Sequence, residues 1–211
     1  MTLSSQIITI PLFPLSSTLF PKGVMELQIF EVRYLNMIKV CVNTQTPFGI
    51  VTLNSGGEVR SPIEDVLFSQ IGTLASIDRY DPVQANLYFI RCSGGARFKV
   101  ISAEKLSNGQ WQAEVHILYE DQITPIPDEL KVCSSALSKV IDSMKLQGIL
   151  DSQMPFQQPY LLNDCGWVAN RWAELLPLNS GQKEHLLGVE NPRLRLDLIF
   201  DFLEEMKITN L

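Results

Sequence analysis

Ile10-Pro11-Leu12-Phe13-Pro14-Leu15, then Leu19-Phe20-Pro21-Lys22-Gly23, then Leu27-Gln28-Ile29-Phe30-Glu31-Val32-Arg33-Tyr34: these three runs decide how the chain is read. Pro11, Pro14 and Pro21 hold φ near −65° and remove amide donors, so the backbone around them is extended or turning. Phe13 and Phe20 are core candidates by size and polarity, and Gly23 is expected to relax a turn after Pro21. From Phe30 the pattern changes. Phe30, Tyr34, Met37, Ile38 and Cys41 recur at spacings of three and four, which predicts a helix closed by Pro47. Glu31 then falls in its first turn, where a carboxylate suits the helix dipole. Glu31 and Arg33, beside Tyr34, make a charged pair that would tie this helix to its neighbours, a structural role.

Outward from this stretch the signals are those of strands. Gln6–Ile10, Phe48–Leu53, Ile71–Tyr80, Leu87–Cys92, Arg97–Leu106 and Gln110–Tyr119 are short β-branched and aromatic runs. Asn54-Ser55-Gly56-Gly57, Ser93-Gly94-Gly95 and Ser107-Asn108-Gly109 separate them, each with residues that tolerate positive φ at hairpin turns. The last three strands read as a meander. Arg97 would begin its strand, where an arginine pairs locally or faces solvent. Phe98 and Val100 alternate against Lys99, but Ile101 breaks the one-sided pattern. A strand apolar on both faces suits a closed barrel covered on its outside.

After Tyr119 the chain passes through Thr124-Pro125-Ile126-Pro127 into a helical alphabet. Leu130, Cys133, Leu137, Val140, Ile141 and Met144 form a stripe from Asp128 to Gln147, and Gly148 is a stop. Residues 150–162 read as a loop. Asp164–Leu176 is a second helix bounded by Pro177, and a short turn surrounds Lys183–Leu187. Asn191 and Pro192 are an N-cap and first-turn pair opening a last helix, with Leu194, Leu198 and Phe202 on one face. The expectation is α+β: a mainly β part, residues 1–122, then a helical bundle, residues 123–211.

Composition narrows the function. With 45% hydrophobic and 19% charged residues, the 211-residue chain can bury a core unaided. Nine basic residues face ten acidic ones up to Glu120, and eight face thirteen after it, giving a net charge of −6. No basic stripe exists to release counterions from phosphates, so nucleic acid is not an expected partner. The first twenty residues, broken by prolines, read as neither signal peptide nor membrane span; no membrane partner and a cytoplasmic location are expected. Cys41, Cys92, Cys133 and Cys165 lie far apart with no Cys-x-x-Cys pair, and only His116 and His185 could complete a metal set. No metal or cofactor is expected.

The usual catalytic signatures are missing as well. There is no Gly-x-x-x-x-Gly-Lys phosphate loop, no Gly-x-Ser-x-Gly elbow, no His-Glu-x-x-His helix and no Gly-x-Gly-x-x-Gly turn. The rival to a non-enzymatic reading is a small hydrolase using a Cys or Ser with His116. A convergent polar pocket around His116 would favour it, whereas an apolar groove would favour binding. His185 is expected in solvent, and of Trp167 and Trp172, about 140° apart on one helix, at least one should be core.

The opening runs resemble the signature of the substrate-binding amino-terminal domain of Lon proteases. Ile71-Gly72-Thr73-Leu74-Ala75-Ser76-Ile77, the Gly-x-x-Arg-Phe-x-Val pattern at Gly94, Arg97, Phe98 and Val100, and Arg195-Leu196 near the other end extend the likeness over nearly the whole chain. The resemblance implies a PUA-like β-barrel followed by a helical bundle, and recognition of protein or peptide segments, above all exposed apolar or unfolded ones. It leaves room for a separate ATPase or protease as a further partner. It also implies a stand-alone form, since Leu211 comes before any ATPase or peptidase part. Of its signature, Pro11, Leu12, Phe13, Pro14, Phe20, Pro21, Gly23, Phe30, Glu31, Arg33, Tyr34, Gly72, Arg97 and Phe98 are read as residues that specify the fold rather than touch substrate. RNA binding through the barrel is a third reading, opposed by the charge balance.

Overall fold

The computed structural model describes residues 7–58 and 66–208. The chain divides into two compact units, Met1–Glu120 and Asp121–Leu211. In the first, β1 (Ile7–Leu15), β2 (Val24–Ile29), β3 (Phe48–Ser55), β4 (Leu67–Gln84), β5 (Leu87–Lys105) and β6 (Trp111–Ile117) form one six-stranded sheet, with helix α1 (Val32–Thr44) between β2 and β3. The order is β2-β5-β4-β3-β1-β6, and β6 also pairs with β5, so the ladder returns on itself through five strands. Only β1 and β3 run parallel. Gln6, expected to start the first strand, lies outside the described residues.

The two prolines of β1 fit because the strand changes partners midway. Ile7–Leu12 pair with β6 and Leu12–Leu15 with β3. Residues three apart turn their amides to opposite sides of a strand, so Pro11 and Pro14 can each aim the missing N–H at the side without a neighbour.

Four strand assignments change, the first being β1, which runs to Leu15 past its expected end at Ile10. Ser93-Gly94-Gly95 is not a hairpin: β5 runs unbroken through it for 19 residues. Gly94 serves close approach instead, because a Cβ there would collide with the Phe20 carbonyl oxygen. Lys22 donates to Gly94 O (2.8 Å) and Gly94 donates to Gly23 O (2.9 Å). β4 likewise outruns its expected bounds at both ends, and β2 was not anticipated as a strand. Positive φ occurs at Gly56 and Gly109, as the other two turns required. In the turn after Phe20 the left-handed residue is Lys22 (φ 62°) rather than Gly23.

The second unit holds α2 (Lys131–Leu146), α3 (Cys165–Leu175), α4 (Ser180–Gly188) and α5 (Pro192–Glu205), with one short 3-10 turn leading into α2 and another between α2 and α3. The α2 stripe is buried at Leu130, Cys133, Leu137 and Ile141, joined by Ala136, whereas Val140 and Met144 are half-buried. Every residue from Cys165 to Ala173 is buried, Trp167 and Trp172 both included. Trp172 Nε1 donates to Cys133 O (2.9 Å). Asn179 and Gln182 form a reciprocal capping box that starts a full helix where only a turn was expected. In α5 Asn191 caps as read, but the buried face is Arg195, Leu196, Ile199 and Leu203, not Leu194, Leu198 and Phe202. Among the described residues no helix is long and apolar enough to cross a membrane.

Candidate functional site

The signature residues come together, and nearly all of them face inward. Phe13 stacks on Tyr34 with ring centroids 4.0 Å apart. Arg33 lies over the other side of the same neighbourhood, its guanidinium carbon 4.4 Å from the Tyr34 ring centroid. Arg33 Nε and Nη2 donate to the Glu31 carboxylate (3.1 and 3.3 Å), Nη1 to Gly109 O (2.8 Å) and Nη2 also to Glu58 O (3.3 Å). One buried cation thus fastens the start of α1 to the β5–β6 turn and to the end of β3's loop. Burial pushes the Tyr34 phenol up to about 12. Glu31 is the N-cap residue of α1 by position, yet its side chain caps nothing and serves Arg33.

Gly72 and Phe98 are a matched pair. They sit opposite each other on β4 and β5, and a Cβ at Gly72 would lie 2.5 Å from Phe98 Cζ. Gly49 leaves room on the same ring, at 2.8 Å. Leu12 and Phe98 share one apolar cluster, Phe13 and Tyr34 the other. Arg97 is a correction: because β5 continues, it stands mid-strand opposite Thr73 and is only 4% exposed. Phe30 departs the other way. It precedes α1 and is 53% exposed.

Two open grooves lie elsewhere on this unit. One, of about 310 Å³, runs between the end of α1 and β4, lined by Cys41, Val42, Gln45, Pro47, Ile77 and Tyr80 among others. The second, of about 250 Å³, crosses the outer face of β2, β5 and β4 at Glu26, Arg79, Val83, Phe89 and Arg91. Arg79 borders both. In the second groove Val83 (58%) and Phe89 (42%) expose apolar surface beside the ion pairs Arg79–Asp81 (2.6 Å) and Arg91–Glu26 (3.0 Å). Sequence reasoning passed over these residues, since single apolar and charged positions on a strand carry no motif.

His116 lies half-buried on β6 opposite Ile7 and Lys99, and lines neither groove. His185 is exposed on α4. All four cysteines are buried free thiols. Burial pushes Cys92 and Cys133 up to about 12 and raises Cys41 and Cys165, so each is held as the unreactive thiol at neutral pH. The second groove thus sets exposed apolar side chains beside charged ones.

A six-stranded mixed sheet carrying one helix, followed by a four-helix unit, defines an α+β protein whose buried signature and open strand faces suit binding. The family model of the ATP-dependent protease La (LON) substrate-binding domain matches residues 9–205, and the chain belongs to that family. Among solved structures it is similar to a Lon N-terminal domain protein from Xanthomonas campestris, at 27% identity and a TM-score of 0.71, covering 92% of this chain and 98% of that one. It also shares the fold of the N-terminal domain of a Mycobacterium avium complex Lon protease, at 15% identity and a TM-score of 0.58, covering 93% and 98%. A comparison with curated proteins found no match.

Proposed function

We propose that this chain is a non-catalytic module that binds protein or peptide segments, preferring those that expose apolar surface. The observation that carries the reading is membership of a substrate-binding family over residues 9–205. The exposed Val83 and Phe89 on an open strand face supply a surface of suitable chemistry. The buried thiols and the place of His116 outside both grooves give the hydrolase reading no support. We read the returning ladder of β-pairings as a PUA-like barrel subdomain, residues 1–122, and residues 123–211 as a helical-bundle subdomain, on the change of hydrophobic period at Pro125–Pro127. The module would act in the cytoplasm and hand bound segments to a separate ATPase or protease.

The test is calorimetric. A model protein kept unfolded by reduction and carboxymethylation should bind, and its native form should not. Burial of apolar surface gives a negative heat-capacity change and tolerance of moderate salt, whereas electrostatic capture weakens steeply as the Debye length shrinks. Equal binding of folded and unfolded forms, or none, removes the reading.

A further inference from the structure

Among the described residues, the ends of the sheet at β4 and at β2 are built differently. β4 continues past its last pairing with β3 at Ala75. There it carries register shifts between Ile77 and Arg79 and between Pro82 and Gln84, and Pro82 has no amide to offer. Bulges and proline are devices by which natural sheet edges refuse another strand. The other margin is β2. All six residues stay in unbroken register with Tyr88–Ser93 of β5, without proline or glycine, and no strand among the described residues pairs on its far side.

The bonds at Gly94 settle which backbone groups face outward. Gly94 exchanges hydrogen bonds with Lys22 and Gly23, just before β2, so its N–H and C=O point to the β2 side. The two-residue alternation of a strand then points Cys92, Ile90 and Tyr88 the same way, making their partners Met25, Leu27 and Ile29 the hydrogen-bonded positions. Val24, Glu26 and Gln28 therefore turn their N–H and C=O to the open edge. Met25 and Leu27 pack on the core yet stay only partly buried, so apolar surface lies open along one face of this edge. On the other face the Glu26 side chain is 69% exposed while holding Arg91.

We propose that the outer edge of β2 takes up an extended segment of a partner protein as an added antiparallel strand. Main-chain bonds to Val24, Glu26 and Gln28 supply affinity. Alternate apolar side chains cover Met25 and Leu27, and a basic residue stands opposite Glu26. The proposal rests on the protein-binding reading above and gives it a place and a substrate chemistry. A second copy of the chain fits less well. Antiparallel pairing of β2 with itself on matching faces sets Glu26 against Glu26, Val24 or Gln28, and none of these supplies a cation.

The probe is the end-blocked peptide Thr-Val-Lys-Val-Thr-Val-Thr, titrated into the full chain beside the carboxymethylated model protein. With the peptide antiparallel to β2 and its valines on the Met25 face, the lysine and threonine amides point at β2 and the valine amides point away. N-methylation of the lysine and central threonine amides should weaken binding at least about tenfold, and N-methylation of valine amides should leave it within about twofold. Glu26→Pro removes an outward amide and the exposed ion pair with Arg91 but no main-chain bond to β5, and should weaken the peptide by a similar factor at the same thermal midpoint as Glu26→Gln, which loses the same ion pair. Glu26→Gln should cost only the lysine preference. If the model protein binds but the two methylation patterns act alike, or Glu26→Pro binds the peptide normally, the edge assignment is overturned and the broader reading stands. If wild-type chain binds neither probe, both fall. A wild-type dimer that Glu26→Pro converts to monomer places a second copy on the edge and overturns the peptide proposal.

Discussion

Arg195 offers the sharpest test of the helical unit. It is completely buried on α5, and a guanidinium brings five N–H donors that all need acceptors. Nε donates to Leu186 O (3.1 Å). Nη1 donates to Asp121 Oδ2 (2.5 Å) and Asn170 Oδ1 (3.0 Å). Nη2 donates to Asp121 Oδ1 (3.2 Å) and to the Val189 carbonyl. The set is complete, and Asp121 is its only carboxylate. Asp121→Ala leaves the charge buried with two donors orphaned. Breaking a buried pair from one side costs about 3–5 kcal/mol, and a domain of this chain's length loses about 2–4 °C of Tm per kcal/mol. The midpoint should therefore fall by roughly 6–20 °C. Asp121→Asn keeps one acceptor and should lose about half as much. Adding Arg195→Leu to Asp121→Ala should recover part of the loss, with a coupling of at least about 2 kcal/mol in a double-mutant cycle followed by urea and circular dichroism. An Asp121→Ala chain within about 1 kcal/mol of wild type would refute the assigned role.

Three further outcomes follow from named contacts. Gly94→Ala forces a Cβ into the Phe20 carbonyl and should destabilise by about 1–3 kcal/mol; a variant as stable as wild type in urea would show that the loop can retreat. Tyr34 should ionise in the folded chain only near pH 12, against its ordinary value of 10.0. The unfolded chain then loses its proton first, so stability is intact below pH 10 and falls by about 1.4 kcal/mol per pH unit from there to about 12. Tyr34→Phe should lack that slope, and equal slopes would exclude Tyr34 as its source. Iodoacetamide should label the four buried thiols of the native chain far more slowly than after unfolding in guanidinium, because burial raises each of them. Rapid labelling of native Cys92 would contradict its burial.

How far the fold could be read ahead depended on which signal each segment carried. The change from β to helix at Pro125–Pro127, the cap at Asn191 and the turns at Gly56 and Gly109 are local chemistry, and local chemistry is legible. Gly94 misled because glycine has two uses. A turn needs its positive φ, and a close approach needs its missing Cβ; the second depends on Phe20, more than seventy residues away in sequence. β2 was within reach, since Met25, Leu27 and Ile29 alternate with Glu26 and Gln28 at the strand period. In α5 the apolar stripe pointed at Leu194, but tertiary contacts override it: Arg195 turns inward for Asp121, and the buried face follows it around the helix. The surface around Val83 and Phe89 carries no period or motif at all.

The same contrast bears on where recognition resides. Arg33 spends its donors on Glu31, Gly109 and Glu58, Tyr34 is covered by Phe13, Phe98 fills the space left by Gly49 and Gly72, and the loop before β2 is closed against Gly94. A side chain whose polar atoms and apolar faces are already matched has nothing left for a partner without breaking those contacts. We therefore read the signature as a description of the scaffold, with Phe30, mostly exposed at the entry to α1, as its exception. On that reading, contact with a bound segment falls to residues outside the signature set: the edge formed by Val24, Glu26 and Gln28, and the face that holds Phe89 and Arg91. These positions can vary in chemistry while the fold is kept, so chains of one fold can differ in what they bind. Exchanging Val24–Ile29 for the corresponding strand of another member of the family should move peptide preference with the strand, at little cost in stability. A preference that stays with the parent scaffold would place recognition elsewhere.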